Sequence, residues 1–380
     1  MQIPFNKPYL TGKEAHYMYD AVRSGKLSGN GKYTRACQDL LCERYGFGKA
    51  LLTTSCTDAL EMAALLLRIG PGDEVIVPSY TFVSTANAFV LRGATLVFAD
   101  SSPEHPNLDP AHVRSLVTDR TRAIVLVHYA GVACDMDAFA AIAAERDLAI
   151  VEDAAQAIDA TYRGRALGTF GALAAFSFHE TKNVISGEGG ALAINDDAYA
   201  ERAEIIWEKG TNRSAFFRGE VDKYGWVDVG SSFLPSEATA AFLYAQLENV
   251  DAIQARRMAL YARYAAALAP IAAETGAFAL PTVPEYAGHN AHMFYLVCRD
   301  GPTRDGLLAY LKARGILAVF HYISLHSSAF ARERSATPPA HLPHADRFTA
   351  CLARLPLYFE LADGEVDLIC AHVADYARGR

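Results

Sequence analysis

Between about residues 50 and 200, short runs of Val, Ile, Leu and Phe alternate with stretches in which apolar residues recur every three or four positions. The runs at 74–77, 95–99, 123–127, 148–152 and 172–178 are bounded by Gly, Pro or Asp and read as strands covered on both faces. The stretches between them read as helices. In 57–68 (TDALEMAALLLR), Leu60, Ala63, Ala64 and Leu67 fall on one face, and the turn cluster Gly70-Pro71-Gly72-Asp73 ends the helix before the next strand. Residues 135–146 repeat the pattern. Strand and helix in alternation predict βαβ units on a mostly parallel sheet.

The rhythm changes near Ser236, where a long Ala- and Leu-rich helical stretch runs to about Thr275 and gives way to a loop region over 276–288. Beyond it, strands at 293–297 and 316–319 enclose a helix at 303–314. The predicted organisation is a large α/β domain with its N-terminal segment over 1–245 and a smaller C-terminal α+β domain over 246–380. No internal repeat is visible.

Composition narrows the functional classes. At 380 residues the chain has room for two or three domains and a sizeable core. Lys+Arg 35 against Asp+Glu 43 leaves a net charge of −8, so no basic surface is available to follow a nucleic-acid backbone. No apolar run approaches the ~18 residues that span a bilayer, and the N-terminus lacks a basic region followed by an apolar one. Seven scattered cysteines form no C-x-x-C and no disulfide framework, which fits a reducing, cytoplasmic setting. The histidine pairs His321/His326 and His341/His344 have no H-E-x-x-H or cysteine company, so no metal is expected. The stretch GKLSGNGK at 25–32 has five residues where a P-loop has four, and Tyr33 follows its lysine.

The chemistry lies at the predicted strand ends. The run 148–152 delivers Asp153 at its C-terminal end, where open α/β sheets bind ligands. Further on, Ser177-Phe178-His179-Glu180-Thr181-Lys182-Asn183 puts a lysine in an irregular loop that continues into Ser186-Gly187-Glu188-Gly189-Gly190. Upstream, Thr54-Ser55-Cys56-Thr57 opens a helix whose unpaired N–H groups and dipole favour a phosphate. Lysine, carboxylate and phosphate cradle are the three parts that pyridoxal phosphate (PLP) needs. Singly, each has an ordinary reading as a helix cap, a strand-end cap or a solvated lysine; their order along the chain makes the set informative.

The segments SCTDALEMAALLL, PGDEVIVPSYTFVSTANAFVLRGA, VHYAGVACDMDA, VEDAAQA, FSFHETKN and GEGGA resemble the sugar-nucleotide aminotransferase family of fold-type I PLP enzymes over about residues 5–357. The resemblance implies Lys182 as the Schiff-base lysine, Asp153 as partner of the pyridine nitrogen and Gln156 as partner of the ring oxygen. It implies Cys56, Thr57 and Ser177 at the phosphate and Phe82 stacked on the cofactor ring. In many members a second subunit gives the phosphate an Asn from an Asn-x-Arg segment. Here Ser232-Phe233-Leu234 replaces it, leaving Ser232 a single hydroxyl for that contact in a homodimer.

Within the family, KLSGNG at 26–31, KGTNRS at 209–214 and FHYISLH at 320–326 resemble the subgroup that aminates C4 of a dTDP-4-keto-6-deoxyhexose. This implies L-glutamate as amino donor, pyridoxamine phosphate as the intermediate cofactor form and a product feeding cell-surface polysaccharide. Ser28, His321, Tyr322 and His326 are the candidate sugar-pocket residues. Rival readings change the nucleotide, the ketone position or the C4 configuration, or make the chain a non-catalytic sugar-nucleotide binder. The dehydratases of this fold need a histidine where this chain has Lys182.

Overall fold

The computed structural model describes residues 2–334 and 341–379. Its strands are β1 (Lys49–Thr53), β2 (Glu74–Pro78), β3 (Thr95–Ala99), β4 (Thr121–Val127), β5 (Ala149–Asp153), β6 (Thr161–Tyr162) and β7 (Arg165–Ala166). They continue with β8 (Leu173–Ser177), β9 (Gly190–Ile194), β10 (Phe278–Ala279), β11 (Ala287–Gly288), β12 (Phe294–Cys298), β13 (Val319–Phe320) and β14 (Leu352–Leu355).

Seven strands make the central sheet in the order β1-β9-β8-β5-β4-β2-β3. The pairs β2/β3, β2/β4, β4/β5 and β5/β8 are parallel, whereas β9 runs antiparallel to both of its neighbours. Strand alternation sends Ile124 and Leu126 into one apolar cluster and Ala123 and Val125 into another. The sheet is therefore covered on both faces, and its inner strands read as continuous apolar runs. All four C-terminal ends at β2, β4, β5 and β8 open to one edge, where Asp153 closes β5.

A second sheet, β10-β12-β14-β13, carries its own cluster with the helices Val250–Thr275, Gly301–Lys312 and Asp363–Ala377. The 26-residue helix Val250–Thr275 begins with Val250 in the first core and continues with Leu260, Tyr264 and Leu268 in this one. Ile3 joins it too, pairing with Ile316. A fourth cluster, rich in Tyr80, Tyr129, Tyr295 and Phe348, fills the junction of the two sheets.

Three expectations are corrected. The Ala- and Leu-rich stretch forms two helices, Glu237–Leu247 and Val250–Thr275, because Asn249 bends its side-chain amide back to the Ala245 carbonyl at 2.8 Å and the backbone leaves the helix there. The loop region 276–288 contains β10 and β11. The strand expected at 316–319 is displaced to β13, since Ile3 takes the backbone of Gly315 and Leu317. Among the described residues no helix is long and apolar enough to cross a membrane.

Candidate active site

Ser55 caps the helix Cys56–Leu66, its hydroxyl accepting from the Asp58 N–H at 3.1 Å. Cys56 and Thr57 are the first two helical residues, so their N–H groups have no carbonyl one turn back and point outward with the positive end of the dipole. The Thr57 hydroxyl lies 2.8 Å from that of Ser84. β9 passes directly behind this turn: a Cβ on Gly190 would meet Ser55 C and lie 2.5 Å from Cys56 N. Glycine there lets the strand support the cradle.

Asp153 is buried. Its Oδ2 accepts from Thr85 Oγ1 at 2.6 Å and its Oδ1 from the Ala155 N–H at 3.2 Å. Thr85 has one hydroxyl proton and spends it on Asp153, so Thr81, 2.8 Å away, donates to Thr85 in turn. Burial pushes the Asp153 carboxyl above its ordinary value, and Thr85, Ala155 and Lys182 only partly offset it.

Lys182 follows β8 in a loop held by its own backbone: the Lys182 N–H bonds His179 O at 2.9 Å, and Ser186 N bonds Phe178 O at 2.7 Å. Its neighbour Asn183 is anchored on Gln254, the Asn290 carbonyl and His292. Among the described residues the Lys182 ammonium has no hydrogen-bond or ion-pair partner. Burial lowers its pKa; Cys56 and Asp153 pull it up, and the Arg354 guanidinium pushes it further down. These couplings bring cradle, carboxylate and lysine into one site.

Gln156 is fixed at both ends of its amide. Its Oε1 accepts from Ala130 N at 2.6 Å, and its Nε2 donates to Tyr322 OH at 3.2 Å. The chain reaches Ala130 through a tight turn in which Gly131 has φ +73° and a Cβ would sit 2.5 Å from Asn290 Cγ. His321 Nδ1 lies 2.9 Å from Tyr129 OH. The Phe82 ring, 6.2 Å from that of Tyr322, is 55% exposed at the N-cap of the helix Val83–Val90, so it is not a core aromatic. Ser177 is buried at the end of β8, its hydroxyl 3.4 Å from the His179 N–H.

Two groups of candidates lie apart from these. Ser28 and Ser232 are both exposed. They sit on neighbouring strips of chain: Gly29 packs against Leu234, and Asn30 donates to Glu208, whose backbone bridges to Ser232. Glu237 holds this corner by accepting from the N–H groups of Gly31 and Tyr33 at 2.8 Å each. His326 is buried, with Nδ1 2.6 Å from Ser79 Oγ and Nε2 3.6 Å from Asp346. Both ring nitrogens are thus occupied within the fold. Residues that sequence reasoning missed are Thr85, Arg354 and the Asn183–His292 pair. Thr85 stands in the quoted segment TFVSTANAF, but its spacing from Asp153 carries no signal without the fold.

A half-buried amine without a partner among the described residues, a buried carboxylate and a backed N–H cradle suit PLP: Lys182 would hold it covalently, Asp153 would face its ring nitrogen, and Cys56 and Thr57 would receive its phosphate. The fold and this donor set define a fold-type I PLP enzyme. Residues 8–374 match the model of the DegT/DnrJ/EryC1/StrS aminotransferase family, and the chain belongs to that family. It is similar to S. venezuelae DesV, solved in complex with a ketimine intermediate (33% identity, 99% of this chain and 98% of that one, TM-score 0.89). It is also similar to the aminotransferase TlmJ from Streptoalloteichus hindustanus (28%, both chains covered 100%, TM-score 0.91). A third similar structure is the putative sugar aminotransferase Spr1654 from Streptococcus pneumoniae in its PMP form (25%, 99% of each chain, TM-score 0.91). The protein is a PLP-dependent sugar aminotransferase.

Proposed function

We propose that this aminotransferase moves the amino group of L-glutamate to C4 of dTDP-4-keto-6-deoxy-D-glucose, giving dTDP-4-amino-4,6-dideoxy-D-galactose. The observation that carries this reading is the contact of FHYISLH (320–326) with the cofactor-site candidates: Tyr322 hydrogen-bonds Gln156 at 3.2 Å and its ring neighbours Phe82. The segment resembling the C4-amino subgroup thus touches two of the residues proposed to hold the cofactor, which supports the reading. The other two subgroup segments adjoin one another through the Asn30–Glu208 hydrogen bond, 3.2 Å long.

PLP, when bound, supplies an electron sink for the carbanion formed at the donor's Cα. The remaining roles fall to this chain. Lys182, with its proton affinity lowered by burial, is the base that takes the proton from Cα of the donor and the acid that returns one to C4 of the sugar. Asp153, oriented by Thr85, holds negative charge against the ring nitrogen. Gln156, Cys56, Thr57 and Ser177 orient the cofactor, Phe82 covers it, and His321 and Tyr322 face the sugar. The enzyme works as a homodimer in the cytoplasm. Trp226, 84% exposed, and the exposed Phe217 and Val227 give a second subunit apolar area to cover. All seven cysteines are free thiols.

The test loads purified protein with PLP, adds L-glutamate, then supplies dTDP-4-keto-6-deoxyglucose and reads the product by NMR. An axial C4 amine is expected. An equatorial amine overturns the subgroup assignment, and absence of any spectral change with glutamate overturns the donor.

A further inference from the structure

Asn183, the residue after Lys182, is buried, and its carboxamide is bonded at both ends. The Asn290 carbonyl, which can only accept, lies 2.8 Å from Asn183 Nδ2 and 3.2 Å from Gln254 Nε2, so both amide orientations are fixed. The second Asn183 N–H donates to Gln254 Oε1 at 2.8 Å. Asn183 Oδ1 is therefore an acceptor, and His292 Nδ1, 2.9 Å away, carries a proton and donates. Burial, with the positive charges of Lys182, Arg354 and Arg257, pushes the His292 pKa well below its ordinary value, so the ring is neutral and Nε2 keeps a lone pair. Among the described residues no hydrogen bond reaches Nε2, which leaves Nδ1 as the nitrogen the fold uses.

His292 is itself held. Its N–H donates to Asn290 Oδ1 at 3.0 Å, and its carbonyl accepts from Arg257 Nη2 at 2.7 Å. Arg257 is buried too, and its Nε donates to the Ala291 carbonyl at 3.1 Å. Ala291 lies in the left-handed region at φ +49°, a conformation that a non-glycine residue keeps only where its surroundings enforce it. Asn290 Nδ2 donates onward to the carbonyls of Gln156 at 2.8 Å and Ile158 at 2.7 Å. A network of satisfied buried groups thus runs from the residue beside the lysine to the backbone of the candidate ring-oxygen partner. Burying such groups costs desolvation, and satisfying all of them specifies one geometry.

We propose that His292 is a positioning residue for Lys182: its Nδ1–H clamps Asn183 and so holds the lysine's loop in place while the amine is detached from the cofactor during turnover. The inference rests on the reading of Lys182 as the Schiff-base lysine. In each half-reaction that amine must let go of the cofactor and later take it back, and in between only its own loop keeps it in reach. The Lys182 N–H, bonded to His179 O at 2.9 Å, fixes the loop on one side. The Asn183 carboxamide fixes it on the other, and His292 supplies the one bond to its oxygen.

The experiment compares wild type, His292→Asn, His292→Gln and His292→Leu as full-length, cofactor-free protein mixed with PLP over a range of concentrations. Stopped-flow absorbance separates the initial affinity for PLP from the limiting rate at which Lys182 attaches it. An Asn side chain carries its N–H near the place of imidazole Nδ1, and a Gln side chain near that of Nε2. The limiting rate is expected to fall about tenfold in His292→Leu and His292→Gln and to stay within about threefold of wild type in His292→Asn, with the initial affinity unchanged in all three. The rate of the single turnover with L-glutamate, counted per PLP-loaded site, is expected to follow the same order. Limiting rates equal to wild type in every variant, with only the Tm lowered, overturn the proposal and leave His292 a packing role. A rate restored by Gln and not by Asn overturns it in favour of Nε2. Should His292→Leu fail to fold, the Asn and Gln variants decide, since both are amides and differ in where the N–H stands. Borohydride reduction of PLP-loaded wild type and peptide mass mapping check the reading beneath: a tag on a residue other than Lys182 overturns that reading and this inference together, whereas a tag on Lys182 with equal rates overturns this inference alone.

Discussion

Thr85 Oγ1 donates to Asp153 Oδ2 at 2.6 Å, a hydrogen bond that joins the first turn of the helix Val83–Val90 to the end of β5 across 68 positions of sequence. It favours the charged carboxylate against the burial that pushes its pKa up. Thr85→Val removes that bond, leaves Thr81 without its acceptor and raises the Asp153 pKa further. The half-reaction with an amino donor is expected to slow about tenfold, the worth of one hydrogen bond to a charged group. Asp153→Asn, which cannot carry the charge, slows it about 10³-fold. Stopped-flow absorbance checks both, and PLP affinity is expected to change less than the rate in either variant. A rate change matched by equal loss of cofactor would assign these residues to binding alone.

Gly190→Ala tests the cradle. The added Cβ would collide with the Ser55 carbonyl carbon and lie 2.5 Å from Cys56 N, and both are backbone atoms that no rotamer change can move. Either β9 or the start of the helix Cys56–Leu66 must shift, at about 1–3 kcal/mol. The N–H groups at the helix start then lose their aim, and PLP is expected to bind about 10- to 100-fold more weakly, measured by fluorescence titration of the cofactor-free protein. Gly187→Ala serves as control, since a Cβ there meets nothing within 4 Å; its φ of +80° strains the loop without touching the cradle.

The pH dependence of cofactor attachment follows from Lys182. Burial lowers its pKa from the ordinary 10.5, Asp153 and Cys56 raise it, and Arg354 lowers it. The neutral amine is the nucleophile, so attachment of PLP to the cofactor-free protein speeds up as pH rises through a midpoint below 10.5. The two neighbours act with opposite sign. Asp153→Asn removes a negative charge and is expected to move the midpoint to lower pH, whereas Arg354→Met removes a positive charge and moves it to higher pH. Rates of absorbance change on mixing with PLP across a pH series give the midpoints. Shifts of the same sign in both variants would contradict the electrostatic account.

The parallel half of the sheet was legible because β2, β4, β5 and β8 are covered on both faces and their apolar runs announce them. β9 was not: Gly190-Ala-Leu-Ala-Ile follows a glycine-rich loop, and its antiparallel insertion between β1 and β8 depends on partners distant in sequence. The candidate site divides the same way. Asp153, Gln156, Ser177 and Lys182 lie in segments whose strand-end positions point to ligand chemistry. Thr85 and Arg354 do not, since a threonine in an apolar helix and an arginine in the short run Leu-Ala-Arg-Leu look ordinary until the fold leaves one bonded to Asp153 and the other with its Nε buried and unbonded. Ser28 and Ser232 stand on an exposed corner of this chain, apart from the residues gathered around Lys182.

Glu152, adjacent to Asp153, has the opposite task and a stability consequence of its own. Its alternation in β5 points it to the other face of the sheet, where it is fully buried. Its oxygens accept from the N–H groups of Gly168 at 2.7 Å, Phe170 at 2.8 Å and Gly171 at 2.7 Å, and His128 Nε2 lies 2.9 Å away. His128 Nδ1 already accepts from the Cys134 N–H at 3.2 Å, so Nε2 carries the proton and donates to Glu152. Burial alone pushes the Glu152 carboxyl up; the bonds from His128 and from the Gly171 and Gly168 N–H groups outweigh it and leave the pKa below its ordinary 4.5. A carboxyl whose folded pKa is depressed contributes stability above the unfolded value and loses it as pH falls through the folded one. Glu152→Gln turns one acceptor oxygen into a donor facing other donors, and is expected to cost about 3 kcal/mol at neutral pH. Chemical denaturation of both proteins over a pH series checks this. The gap between them narrows once pH drops below about 4.5, where the wild-type carboxyl becomes protonated as the chain unfolds. A gap that stays constant down to acid pH would mean that the charge on Glu152 contributes nothing and that the loss is one of packing alone.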